Sequence, residues 1–155
     1  MVQTKAVRDF IPLGFGDLSW TDYDFGVRIK CEDRGMVFVH VRDRPVRGGY
    51  GYKLGTRAFP EEVINLNYKG ANPAFGSRMT SGLASDRWHD VRISVRGDRI
   101  QCFLDGEQTF EVSDSLHSHG AVYLRSWNVP CRFRDIKVTA PDGTVLWEGL
   151  PELPE

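Results

Sequence analysis

Side chains able to hold a ligand fall at alternate positions along several strand-like stretches. Phe38, His40 and Arg42 alternate with Val37, Val39 and Val41. Tyr123, Arg125 and Trp127 alternate with Val122, Leu124 and Ser126. Asn65 and Asn67 interleave with Ile64 and Leu66, and Tyr50 and Tyr52 are spaced in the same way. Successive side chains of a strand point to opposite faces, so each set shares one side. If the valines face a core, the others line an outer wall. Planar rings stack on the C–H faces of sugars, while guanidinium, amide and imidazole groups read hydroxyls. The candidate binding set is therefore Tyr52, Tyr123 and Trp127 as platforms, with His40, Arg42, Asn65, Asn67, Arg125 and Asn128 as polar partners. A merely solvated sheet face tends instead toward Lys, Glu and Thr.

Bond-breaking chemistry is less well supplied. Retaining glycoside hydrolysis needs two carboxylates about 5–5.5 Å apart. An E-x-D-x-E strand would bring them together, and the sequence contains none. Glu32-Asp33 and Glu61-Glu62 are adjacent, so on a strand their members face opposite ways. Asp105 and Glu107 flank Gly106 in a turn. A substrate whose C–H is acidified by a neighbouring ketone needs only one base, for which His40 beside Arg42 is the candidate. The plainer reading of His40 is a surface histidine on a sheet. His117-Ser118-His119 lacks a third metal ligand in view and reads as a polar loop, and His89 reads as solvated. No nucleophile elbow or phosphate-binding loop occurs.

The elements that must position these residues are short strands. The chain has 155 residues with 41% hydrophobic and 26% charged residues, a balance that suits one globular domain over 1–155. A net charge of −1 gives no bulk electrostatic basis for binding nucleic acid. No apolar run is long enough for a membrane helix, so no membrane insertion is expected. The N-terminal segment lacks a signal-peptide pattern, which fits either a cytoplasmic chain or a piece of a longer, extracytoplasmic one with other domains as partners. Glycines and prolines punctuate short alternating stretches, of which Trp88–Arg96 is the cleanest. Asp105-Gly106 is a strong hairpin signal. Ten or more antiparallel strands bury their edges best as two packed sheets, so the spacing predicts an all-β, two-sheet antiparallel β-sandwich of jelly-roll type. Short helical turns are expected near Leu83–Asp86 and Ser113–His117. Cys31, Cys102 and Cys131 are too few for a disulfide framework and read as buried thiols, with a Cys31–Cys131 or Cys102–Cys131 bridge left open.

Four segments carry a family resemblance: Gly16–Phe25 with Trp20-Thr21-Asp22-Tyr23-Asp24-Phe25, Trp88–Gly106, Gly120–Asn128, and Phe133-Arg134-Asp135-Ile136-Lys137-Val138. Together they resemble the concanavalin A-like lectin/glucanase superfamily, and within it the 3-keto-disaccharide hydrolase domain. The resemblance implies a jelly roll with an oligosaccharide or polysaccharide on its concave face or rim. It also implies a structural Ca²⁺ near the termini, for which Asp135 with Asp17 or Asp22 are the carboxylates available. The fold hosts several functions. A noncatalytic carbohydrate-binding module is the first expectation, a 3-keto-glycoside hydrolase or lyase with His40 as base the second, and a laminin-G-like protein-interaction domain the third.

Overall fold

The computed structural model describes residues 13–151. These form twelve strands: β1 (Leu13–Phe15), β2 (Tyr23–Cys31), β3 (Met36–Arg44), β4 (Gly48–Gly55), β5 (Glu61–Leu66), β6 (Ala74–Met79), β7 (His89–Arg96), β8 (Arg99–Leu104), β9 (Glu107–Ser113), β10 (Ala121–Trp127), β11 (Cys131–Thr139) and β12 (Val145–Glu148). They make two six-stranded antiparallel sheets. The front sheet runs β1-β10-β3-β4-β5-β6 and the back sheet β12-β11-β2-β7-β8-β9. This is the expected jelly-roll sandwich. Hairpins join β3 to β4, β7 to β8 and β8 to β9, the last through Asp105-Gly106 with positive φ at both residues. The two expected helical turns are instead a tight turn and an irregular loop. β1 and β6 are short edge strands that alternation in the sequence does not reveal.

Alternation builds the core. Val37, Val39 and Val41 of β3 pack inward beside Tyr50, Tyr52 and Leu54 of β4, because these are direct cross-strand partners. Phe25, Val27, Ile29, Val91, Ile93 and Val95 supply the opposing layer. Full burial of each such side chain is worth about 1.5–3 kcal/mol.

Three residues expected on the outer wall lie inside: Arg42, Tyr50 and Tyr52. The first is Arg42. A β-bulge near the end of β3 gives it φ 48°, and the register with β4 slips between Val41 and Arg44. The extra residue turns Arg42 inward. Its guanidinium, 1% exposed, crosses to the back sheet, where Nε donates to the Thr21 carbonyl at 2.9 Å. Nη1 donates to the carbonyls of Gly97 at 2.6 Å and His117 at 3.2 Å, and Nη2 pairs with Asp22 at 3.1 Å. The others are Tyr50 and Tyr52, which share the inner face of β4 with Leu54. The Tyr52 hydroxyl donates to Glu62 Oε1 at 2.6 Å and the Tyr50 hydroxyl to Asp114 Oδ2 at 2.7 Å, polar partners that make an interior tyrosine stable.

The cysteines also differ from the default expectation. Cys31 and Cys131 are register partners on β2 and β11 and are joined by a disulfide, while Cys102 is a buried thiol. Closing a loop with a sequence separation of 100 contributes on the order of 4–5 kcal/mol in the chain-entropy picture. Burial pushes the Cys102 thiol up, so it stays protonated.

Candidate functional site

A single register row across the front sheet builds the site. Gly14 of β1, Tyr123 of β10, His40 of β3, Gly51 of β4 and Asn65 of β5 lie side by side. All face outward, because their strand neighbours Val39, Leu124 and Ile64 face the core. The two glycines are spacers. A methyl group on Gly51 would stand 3.1 Å from His40 Cε1, 2.9 Å from Asn65 Oδ1 and 3.1 Å from Asn67 Nδ2. On Gly14 it would reach Tyr123 Cδ2 at 3.2 Å. Without side chains at those positions, rings and amides from alternate strands lie down over the backbone and meet each other.

They meet in a defined order. Asn65 Nδ2 donates to Asn67 Oδ1 at 3.1 Å, and Asn67 Nδ2 then donates to His40 Nδ1 at 3.0 Å. An imidazole that accepts at Nδ1 carries its proton on Nε2. His40 Nε2 is buried and finds no hydrogen-bond partner among the described residues. Desolvation, helped by the Arg125 charge, pulls the His40 pKa down to about 3, so the ring is neutral at physiological pH. The Tyr123 ring stands edge-on to it, with centroids 5.5 Å apart. In the next row, Arg125 lays its guanidinium 4.2 Å above the Phe38 ring. Asp43, displaced by the same bulge that turns Arg42 inward, places Oδ2 3.7 Å from His40 Nδ1. With the imidazole neutral this is not an ion pair. Burial lifts the Asp43 carboxyl to about 6, against the pull of Arg125.

His40, Tyr123, Arg125 and Asp43 line a cavity of about 760 Å³, within the size range of small-molecule sites. Its walls come from Gly14–Leu18, the β3–β4 hairpin and the Asn67–Asn72 loop. Val46 and Lys69, one on each of the latter two, have φ of 69° and 48°. Left-handed backbone is costly for a β-branched residue, and strain of this kind concentrates where loops clamp ligands. The loops are fixed from below: His117 Nε2 contacts the Asn67 carbonyl at 2.8 Å, and His119 Nε2 meets Arg44 Nη1 at 3.3 Å. The H-x-H pair thus splays apart as loop support.

The structure brings together His40, Asn65, Asn67, Tyr123 and Arg125. It does not bring Arg42 or Tyr52 to this wall: the bulge turns Arg42 into the sandwich, and Glu62 holds Tyr52 there. Trp127 shares the outer face but lies at the far end of β10, with its ring edge-to-face on Phe59 at 5.4 Å and outside the cavity. Asn128 is exposed in the turn after β10, with φ 54°. His89, expected as solvated, is 3% exposed, and its Nδ1 lies 2.9 Å from Asp105. The three carboxylates considered for Ca²⁺ each have partners within the protein. Asp17 is occupied by Ser19, Asp22 by Arg42 and the Gly97 amide, and Asp135 by Arg28 and Arg134 on the back sheet. Among the described residues no cluster of three metal-ligating side chains occurs. Asp43, Arg44 and Lys69 are not apparent from alternation, since a bulge and two loops place them. The turn-forming residues Pro45, Gly48, Gly70 and Pro73 mark those loops but not their direction.

Solved structures share this architecture at low identity. Carbohydrate-binding module CBM66 from Bacillus subtilis superposes with a TM-score of 0.69 at 18% identity, over 77% of this chain and 75% of its own. A Caenorhabditis elegans galectin gives 0.65 at 11%, over 83% and 89% respectively. A homodimeric agglutinin from chicken liver gives 0.64 at 12%, over 84% and 100%. These likenesses concern the fold. A search of curated proteins by sequence finds no match. The sequence profile of the 3-keto-alpha-glucoside-1,2-lyase-like domain matches residues 15–139, most of the chain, and the chain therefore belongs to that family.

Proposed function

We propose that the chain binds a sugar ring in the front-sheet cavity, without breaking bonds. The observation that carries this reading is His40: an imidazole 4% exposed, fixed as an Nε2–H donor by the Asn65–Asn67 relay, with that donor lacking a partner. Leaving a buried donor unmade costs about 1–3 kcal/mol, which a sugar oxygen would offset. The Tyr123 ring and the Arg125 fork supply a stacking edge and hydroxyl contacts beside it. The fold likeness to a carbohydrate-binding module and to galectins supports the same reading. Calorimetric titration against a glycan panel tests it. His40→Ala and Tyr123→Ala should each weaken binding at least about ten-fold, the effect of losing about 1.4 kcal/mol. Trp127→Ala should leave binding unchanged. Binding that survives both cavity variants, or no binding to any glycan, contradicts the reading.

A second reading is favoured by Asp43. A carboxyl raised to about 6 beside a neutral imidazole donor is suited to remove a proton next to a ketone. The family description points to such substrates. Here the base is Asp43 rather than His40, whose Nε2 carries a proton. Release of the aglycone from a 3-keto-disaccharide, lost in Asp43→Asn, would support it, and an inert wild type would remove it.

A further inference from the structure

Charge in the cavity is one-sided. Its lining includes Arg44, Lys69 and Arg125 as cations against Asp43 as the one carboxylate, although the whole chain has a net charge of −1. Arg44 is half-buried, and its contact is an imidazole: His119 Nδ1 lies 2.8 Å from the Leu18 carbonyl, which directs the Nε2 lone pair toward Arg44 Nη1. Arg44 Nε is buried and lacks a hydrogen-bond partner. Lys69 lies 5.2 Å from the centre of the Tyr68 ring. Among the described residues neither Arg44 nor Lys69 has a carboxylate within 4.0 Å. Many other arginines are matched with carboxylates, as Arg42 is with Asp22, Arg78 with Glu62 and Arg96 with Asp24. Two unmatched cations at the mouth of a partly desolvated cavity, above a neutral imidazole donor, form a wall of donors. An arginine fork fits a carboxylate bidentately.

We infer that the ligand of this cavity is an acidic sugar, a ring bearing a carboxylate that reaches Arg44 and Lys69 while the ring rests against Tyr123 and His40. The inference rests on the sugar-binding reading and narrows it. Affinities of the wild-type protein for uronic acid oligosaccharides, their methyl esters and the matching neutral oligosaccharides decide it. The free acid should bind at least about ten-fold more tightly than the ester and the neutral sugar, and this preference should shrink as salt rises. Lys69→Gln, at an exposed position, should reduce the preference several-fold, and Arg44→Gln with Lys69→Gln should abolish it while neutral-sugar binding persists. Asp43→Asn, which removes the opposing carboxylate, should strengthen binding of the acid. Equal affinity for acid, ester and neutral sugar overturns the inference and leaves sugar binding intact. Tighter binding of an O-sulfated neutral sugar than of the uronate overturns the carboxylate assignment. Failure of every sugar to bind overturns both this inference and the reading beneath it.

Discussion

The outer faces of the two sheets are built in opposite ways. On the back sheet, several polar side chains are matched across strands: Arg99 pairs with Glu111, Arg96 with Asp24, and Gln101 with Gln108. Arg92 and Arg134 cover the Phe103 and Trp88 rings at 4.1 Å. These groups find their partners within the protein. On the front sheet, glycines at positions 14 and 51 open gaps in the side-chain layer, and the imidazole between them is buried with one donor unpartnered. What separates the faces is a buried donor on the front sheet, His40 Nε2, left without a partner among the described residues.

The sharpest contrast is between two arginines of the front sheet. Arg42→Met removes the bolt between the sheets and strands Asp22 and three carbonyl contacts. It should cost about 3–5 kcal/mol, lowering Tm on the order of 10 °C in a thermal melt. Arg125→Met, on the outer wall, should change Tm far less while weakening sugar binding. If the two shift Tm equally, the division of labour fails.

Filling a spacer comes next. Gly51→Val should leave a folded protein with a modest stability loss, about 1–3 kcal/mol from crowding, yet reduce sugar affinity at least about ten-fold. Retained affinity in that variant would show that the His40–Asn67 contact is not part of the site.

Acid stability gives a smaller, signed effect. His40 has a folded pKa of about 3 against about 6.5 unfolded, so the unfolded chain binds more protons between those values. Stability attributable to His40 is present above pH ~6.5 and is lost as pH falls toward 3. Asp43 acts oppositely. Its folded pKa of about 6 lies above the usual carboxylate value, so its contribution is present in acid and is lost as pH rises through 6. Denaturant midpoints should therefore fall less steeply below pH 6.5 in His40→Asn than in the wild type. Parallel profiles would count against a buried neutral imidazole. Smallest of all, Arg99→Ala on the back sheet should change stability by about 0.2–1 kcal/mol and leave binding unaffected.

Much of the fold is legible in the sequence because period-2 alternation survives wherever a strand is regular. Val37, Val39 and Val41, the Trp88–Arg96 strand and the Asp105-Gly106 hairpin all stand as their pattern predicts. The site is legible in part. His40, Tyr123, Arg125, Asn65 and Asn67 occupy the wall that alternation assigns them. Arg42 does not, because one bulged residue resets the alternation and no residue type announces it. Tyr52 does not, because a tyrosine with a buried acceptor is as good a core residue as a stacking platform. The interior position of Glu62 is the missing clue, and only tertiary structure supplies it. Trp127 shows that sharing a face is not sharing a site: two residues beyond Arg125, its ring lies outside the cavity.

Backbone amide shifts recorded during titration with a bound glycan would map the binding face residue by residue. Perturbations should concentrate at Gly14, His40, Gly51, Asn67 and Tyr123, with Arg92, Gln101 and Arg132 of the back sheet silent. Perturbations centred on the back sheet, or on Trp127 and Phe59 with the His40 row unmoved, would contradict a binding site in the front-sheet cavity.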